Sequence, residues 1–252
     1  MRRIELGFHC NNACRFCAPG TLRTELPQHE LAAIEREVSS IQTGDRVAFV
    51  GGEPTLLEGL PGWATLARER GAWSVMVQTN GRRLSEAGYA HSLVAGGVDV
   101  LDVSLHGANE AMHDYHTTIE GSFRETVLGL RRARAAGLTF GITTVVTRSN
   151  YRHLPEIVHV AHTLGARAIH LALVEAVGDA ARCADQLVPP RELAEPFLAR
   201  ASARARSLGL VAVLGGDLAQ TGAPRTFAGR GRAEEPVGGE RRHLPVAPPS
   251  GE

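Results

Sequence analysis

Apolar runs alternate with amphipathic stretches along most of this chain, and a glycine repeatedly stands just ahead of the apolar run. Gly44 precedes Val47-Ala48-Phe49-Val50, Gly71 precedes Trp73 to Val77, and Gly97 precedes Val98 to Val103. Gly137 precedes Phe140 to Val146, Gly165 precedes Ala168 to Val174, and Gly209 precedes Leu210 to Leu214. Glycine just past a helix takes the left-handed conformation without a Cβ clash, and the chain then re-enters a sheet. The stretches between are helical by period. Leu31, Ile34, Val38 and Ile41 share one face, as do Phe123, Val127 and Leu130, and then Leu154, Ile157, Val158 and Ala161. The apolar runs are nearly continuous rather than alternating, the pattern of parallel strands covered by helices. With Ile4 to Phe8 as the first strand, the chain supplies roughly six β/α units, fewer than the eight of a closed barrel. The pattern therefore predicts an α/β fold, a partial (β/α)6 barrel joined by right-handed crossovers.

Length and composition narrow the picture. A chain of 252 residues with 43% hydrophobic content suits one domain with a sizeable core. The core domain is expected over residues 1–220. From Thr221 to Glu252, 11 residues are Gly or Pro and apolar residues are isolated, which predicts a disordered tail over 221–252. Twenty-seven basic residues balance 27 acidic ones, so no global field favours nucleic acid or membrane. Every basic residue is arginine, which removes lysine Schiff-base chemistry and the phosphate-loop lysine. No apolar run approaches the ~18 residues of a membrane span. Four cysteines, three of them clustered, do not form a disulfide framework, and a reducing cytoplasm is the expected compartment.

The clustered thiols are the sharpest chemical feature. Cys10, Cys14 and Cys17 offer three thiolates from one loop and no local fourth. A metal centre bound by these alone keeps an open coordination position. The competing reading is a structural zinc site completed by His9 or Cys183, but paired Cys-x2-Cys or Cys-x2-His halves are absent. Other polar strings fall at strand ends. Gly51-Gly52-Glu53-Pro54 follows the second strand, Gln78-Thr79-Asn80-Gly81 closes the third, and Asp102-Val103-Ser104-Leu105-His106-Gly107 ends the fourth. In a β/α barrel all strand C-termini open onto one rim, so these strings converge there.

The cysteine run, with Phe16 just before the third cysteine, resembles that of the radical S-adenosylmethionine (SAM) enzymes. The other strings, then His113-Asp114 with Gly121-Ser122-Phe123, follow in the family's order, from about residue 4 to about residue 175. The resemblance implies a partial TIM-type barrel, a [4Fe-4S] cluster on Cys10, Cys14 and Cys17, and SAM bound to the iron that lacks a protein ligand. It further implies reductive cleavage of SAM to a 5′-deoxyadenosyl radical that abstracts hydrogen from a peptide or small metabolite. An electron donor such as flavodoxin or ferredoxin is then the expected partner. On this reading no side chain beyond the cluster and cofactor is catalytic. Gly51 and Gly52 let backbone approach the methionyl group, Glu53 adds negative charge, and Pro54 fixes the turn. Thr79 or Asn80 faces the ribose, Ser104 donates to a carboxylate or ribose, and Phe16 lies near the adenine edge. Leu173 and Val174 are candidates for an apolar adenine wall.

Where many relatives carry an arginine shortly after the His-Asp pair, this chain has His116. An imidazole gives at most one good donor to the methionyl carboxylate, whereas arginine gives a fork. Arg148, after the fifth strand, is the expected substitute. His113-Asp114 reads as a turn or helix cap in preference to a metal site built with His106 and His116. The motif order resembles the branch of peptide and protein maturases, though Cys183 is the lone further cysteine and reads as a buried thiol. An accessory protein that binds cluster and SAM without turnover is the alternative from another class.

Overall fold

A computed structural model describes residues 1–21 and 31–215. The expected tail over 221–252 lies outside the described residues. Seven parallel strands form one sheet in chain order, β1 (Arg2–Glu5), β2 (Arg46–Val50), β3 (Ser74–Thr79), β4 (Val100–Ser104), β5 (Thr139–Val146), β6 (Ala168–Leu173) and β7 (Val211–Leu214). Helices α1 (Leu31–Ser39), α2 (Leu60–Glu69), α3 (Tyr89–Ala95), α4 (Glu110–Thr117), α5 (Ser122–Ala135) and α6 (Leu154–Leu164) cross between successive strands. Two short helices, α7 (Asp179–Arg182) and α8 (Ala184–Leu187), then precede the long α9 (Arg191–Ser207). This is the partial barrel that the pattern predicts, six β/α units plus a final strand.

The six glycines ahead of the strands all take positive φ, from 77° at Gly209 to 96° at Gly165, so each helix ends where the pattern places it. The first strand is displaced. It spans Arg2–Glu5 rather than Ile4 to Phe8, because Gly7 adopts φ 108° and turns the chain toward the rim. On α1 the expected stripe is partial: Ile34 and Val38 are buried, whereas Leu31 is 58% exposed.

Strand parity divides the sheet into two faces. Val47, Phe49, Val75, Val77, Leu101, Val103, Phe140 and Ile142 point to the helices and join the main core. The opposite, concave face carries Ala48, Val50, Met76, Val100 and Ala168 at its base. Above them the register places Gln78 beside Asp102, and Ser104 beside Thr143, on the side that opens to the rim. Fully burying each large apolar side chain stabilises by about 1.5–3 kcal/mol, so the helix-facing set holds the frame while the concave face is free to be polar. No helix among the described residues is long and apolar enough to cross a membrane.

Candidate active site

Three separate parts of the chain hold the cysteine loop. The backbone amides of Ala13 and Arg15 donate to the carbonyls of Thr117 and His116, each at 3.0 Å. Helix α4 thus ends with its orphan carbonyls capped by the loop that carries the thiols. Thr118 follows at φ 57°, an uncommon conformation for a β-branched residue, and its hydroxyl donates to Ala13 O at 2.7 Å. From the other side, Asp179 N donates to Cys17 O at 3.0 Å. Gly178 packs so tightly there that a Cβ would lie 2.2 Å from Ala18 O and 2.4 Å from Cys17 O. The third hold comes from the segment after β3. Arg82 donates to Asn11 O and, at 2.9 Å, to Asn12 Oδ1.

The Gly51 to Pro54 turn packs directly against this loop. A Cβ on Gly51 would sit 2.5 Å from Gly7 O, and one on Gly52 would sit 2.1 Å from His9 O. The approach of two protein loops thus requires these glycines, and both also line the cavity at the rim. Glu53 N donates to His9 O at 2.7 Å and closes the contact. The Glu53 side chain is buried and almost fully engaged. Its Oε1 accepts from Thr55 N (3.1 Å), Thr55 Oγ1 (2.6 Å) and Thr79 Oγ1 (2.6 Å), and its Oε2 accepts from Asn80 N (2.6 Å). Burial raises the Glu53 carboxyl, and these four donors oppose that rise. Oε1 is saturated, and the acceptor capacity left at Oε2 is what the carboxylate has for a further donor. Pro54 starts the turn that follows and is buried outside the cavity.

A cavity of about 520 Å³ opens at the strand C-termini, within the usual size of a small-molecule site. All three clustered cysteines line it, with Gly51 to Glu53, Thr79, Asn80, Ser104 and Phe16. The donor set fits an iron–sulfur cluster. Burial first, then the Glu53 charge, pushes the Cys10 thiol up to about 11, so a thiolate there calls for a cation to offset it. Among the described residues no three His, Cys, Asp or Glu side chains converge on a point suited to one metal ion. A multi-iron cluster takes each thiolate on a different iron.

Several of the expected contact residues have partners within the protein. The Thr79 hydroxyl donates to Glu53 and accepts from Gly81 N at 3.0 Å, so it is committed within the protein rather than to a ribose. Asn80 turns its amide to the cysteine loop, donating to Asn11 Oδ1 at 2.6 Å. His116 is buried and points away from the cavity. Its Nδ1 contacts Met112 O at 2.7 Å, which makes Nε2 the acceptor for Thr147 Oγ1 (2.8 Å) and Ser149 Oγ (2.9 Å). Burial lowers its pKa, so the ring stays neutral and packs the rim instead of holding a carboxylate. Arg148 is exposed, its Nε donating to Val188 O at 2.9 Å and its amide to Leu187 O. It ties down the end of α8, outside the cavity. Arg148→Ala should leave SAM affinity unchanged by equilibrium binding; a tenfold loss would return it to the site. Leu173 pairs with Val146, which faces the helices, so parity turns it away from the concave face. Val174 is buried with Ala180 and Leu187. Val145 lines the cavity and, with Phe16, packs against the Val174 cluster, so Val174 lies behind the wall that these two form.

Ser104 lines the cavity as expected. Phe16 also lines it, its ring meeting His106 edge-on at 4.8 Å. The His-Asp and Gly-Ser-Phe strings form one cap. Asp114 accepts from Gly121 N, Ser122 Oγ and Phe123 N at 2.7–2.8 Å, seating the N-terminus of α5. Burial alone would raise the Asp114 carboxyl, but these bonds hold it below the usual range. Asn150 escaped the sequence reading, and His106 entered it only within a histidine cluster and a strand-end string. His106 lines the cavity with its Nδ1 accepting from Val145 N at 3.3 Å, and Asn150 bridges His106 O and Val145 O. Both connect neighbouring strand ends, and no local spacing signals that link.

An open parallel half-barrel with three thiols and four strand-end loops around one rim cavity defines a cluster-dependent enzyme class. The Radical SAM superfamily profile matches residues 4–161, and the chain belongs to that superfamily, whose enzymes use a [4Fe-4S] cluster and SAM. It is 28% identical over 199 residues to an AdoMet-dependent heme synthase of Nitratidesulfovibrio vulgaris, covering 76% of this chain and 52% of that protein. It is likewise 28% identical over 211 residues to a PqqA peptide cyclase of Xanthomonas campestris pv. campestris, covering 82% and 55%. The chain thus spans about half the length of these curated relatives. Among solved structures, native anSMEcpe with bound AdoMet superposes with TM-score 0.66 at 18% identity, covering 84% of this chain and 64% of that one.

Proposed function

We propose that this protein is a radical SAM enzyme whose Cys10, Cys14 and Cys17 hold a [4Fe-4S] cluster. When bound, cluster and cofactor together supply reductive cleavage of SAM and a 5′-deoxyadenosyl radical for hydrogen abstraction. The protein's own part is to orient them. Glu53, Ser104, Phe16 and Val145 line the cavity and would hold the cofactor there, Glu53 as an acceptor for its ammonium, Ser104 as a donor and Phe16 with Val145 as an apolar wall for adenine. The observation that carries this reading is the single cavity shared by the three thiols and the loops after β2, β3 and β4.

The substrate is a peptide or a small metabolite. Relatives named for heme synthesis and for peptide cyclisation support both classes. A low-potential donor such as flavodoxin or ferredoxin delivers the electron. The accessory-protein alternative draws on His116 as a missing anchor and on a short C-terminal region, and it separates from the enzyme reading on SAM cleavage. Anaerobic reconstitution with iron and sulfide, followed by dithionite and SAM, is expected to yield 5′-deoxyadenosine. An intact cluster that leaves SAM uncleaved would overturn enzymatic turnover.

A further inference from the structure

The loop after β3 reaches a thiol as well as a loop. Asn80 Nδ2, besides donating to Asn11 Oδ1, lies 3.9 Å from Cys10 Sγ. The backbone amide of Asn12 approaches the same sulfur at 3.4 Å. The orientation of the Asn80 amide is fixed by its surroundings, because its Oδ1 accepts from Arg82 N at 3.0 Å. The residue cannot flip without placing two acceptors against each other. Its backbone is fixed as well, since Asn80 N donates to Glu53 Oε2 and Asn80 O accepts from Thr126 Oγ1 at 2.9 Å. A donor is therefore held in place against one thiol, on a residue that is itself buried.

We infer that Asn80 is a positioning residue that raises the reduction potential of the cluster through Cys10. The inference rests on the cluster assignment proposed above. An N–H donor at a coordinating sulfur withdraws electron density from it. The form of the cluster carrying the extra electron gains more from that donor than the oxidised form does. Two donors at Cys10 thus make the cluster easier to reduce. Arg82 supplies a built-in comparison, since it grips the same loop through Asn11 and Asn12 without touching the sulfur.

The test is an EPR-monitored redox titration of the reconstituted wild type, Asn80→Ala, Asn80→Asp and Arg82→Ala. Asn80→Ala is expected to shift the oxidised-to-reduced ratio about tenfold toward the oxidised form, a fall of about 59 mV for one electron. Asn80→Asp keeps the shape but replaces the donor with a charged acceptor, so the lost donor and the added negative charge together lower its midpoint further than Asn80→Ala. Arg82→Ala removes a cation from the same loop without a sulfur contact, so its midpoint should fall less than that of Asn80→Ala. An unchanged midpoint in either iron-loaded Asn80 variant overturns the inference. So does an equal fall in Arg82→Ala, or a correctly folded pair of Asn80 variants that takes up no cluster, because the contact is then a loop clamp. A wild type that assembles no four-iron cluster would instead refute the assignment beneath it.

Discussion

Cys14→Ala should reduce 5′-deoxyadenosine formation to background while leaving the fold intact. The expectation combines chemistry with the local backbone. Cys14 sits between Ala13 and Arg15, whose amides are both taken by the end of α4. Those bonds are made by main chain, so alanine keeps them, and the loop retains its path. What disappears is one thiolate of three, and the cluster has no fourth cysteine on this loop to replace it. Cys183 is no substitute, with its thiol directed to Asp179 O at 3.6 Å in the satellite cluster under Val174. Iron and sulfide content after reconstitution should fall together with product, and the thermal midpoint should stay within a few degrees. Product formation at the wild-type rate would remove Cys14 from the ligand set.

Glu53→Ala is expected to act through stability first. Four buried donors, two from Thr55 and one each from Thr79 and Asn80, converge on this carboxylate. Removing the acceptor strands them away from water. Each buried donor left without its acceptor costs about 1–3 kcal/mol, and the hydroxyls among them can turn to other acceptors, so a total of about 3–5 kcal/mol is expected. For a chain of this size that corresponds to a fall of roughly 10 °C in thermal midpoint. Glu53→Gln should lie between, because its carbonyl can serve Thr55 and Thr79 while its amide faces the Asn80 N–H, donor against donor. Thermal unfolding followed by circular dichroism reads both variants. A midpoint within 2 °C of wild type for Glu53→Ala would show that the carboxylate does not brace the two loops, on the same size scaling.

The frame was legible in the sequence because its causes are local. An apolar run ending at a rim and a glycine that can take positive φ are properties of a few adjacent residues. Their placement at Gly71, Gly97, Gly137, Gly165 and Gly209 matches the structure. The cysteine loop and the strand-end motifs were legible for a related reason, since a half-barrel sends all strand C-termini to one side. The individual ligand contacts were less so. His116 and Arg148 look alike as candidate anchors in one dimension, yet one is committed to Thr147 and Ser149 and the other to the end of α8. Leu173 and Val145 differ by parity and by strand register, and neither is visible until the pairing is known. Glu53 illustrates the remaining gap. A carboxylate next to a ligand site invites a ligand role, whereas most of its acceptor capacity serves residues up to 27 positions away.

The anchoring of the cysteine loop also sets a timetable for maturation. The loop comes from the first 20 residues, but its backbone is tied to Thr117 and Thr118 and, still later in the chain, to Asp179. A growing polypeptide exposes the thiols long before those anchors emerge from the ribosome. Folding that proceeds unit by unit in chain order leaves them without a defined geometry until the seventh-strand half of the domain has been made. A protein truncated before residue 178 should therefore accept metal poorly even with all three thiols present, as iron content after reconstitution would read.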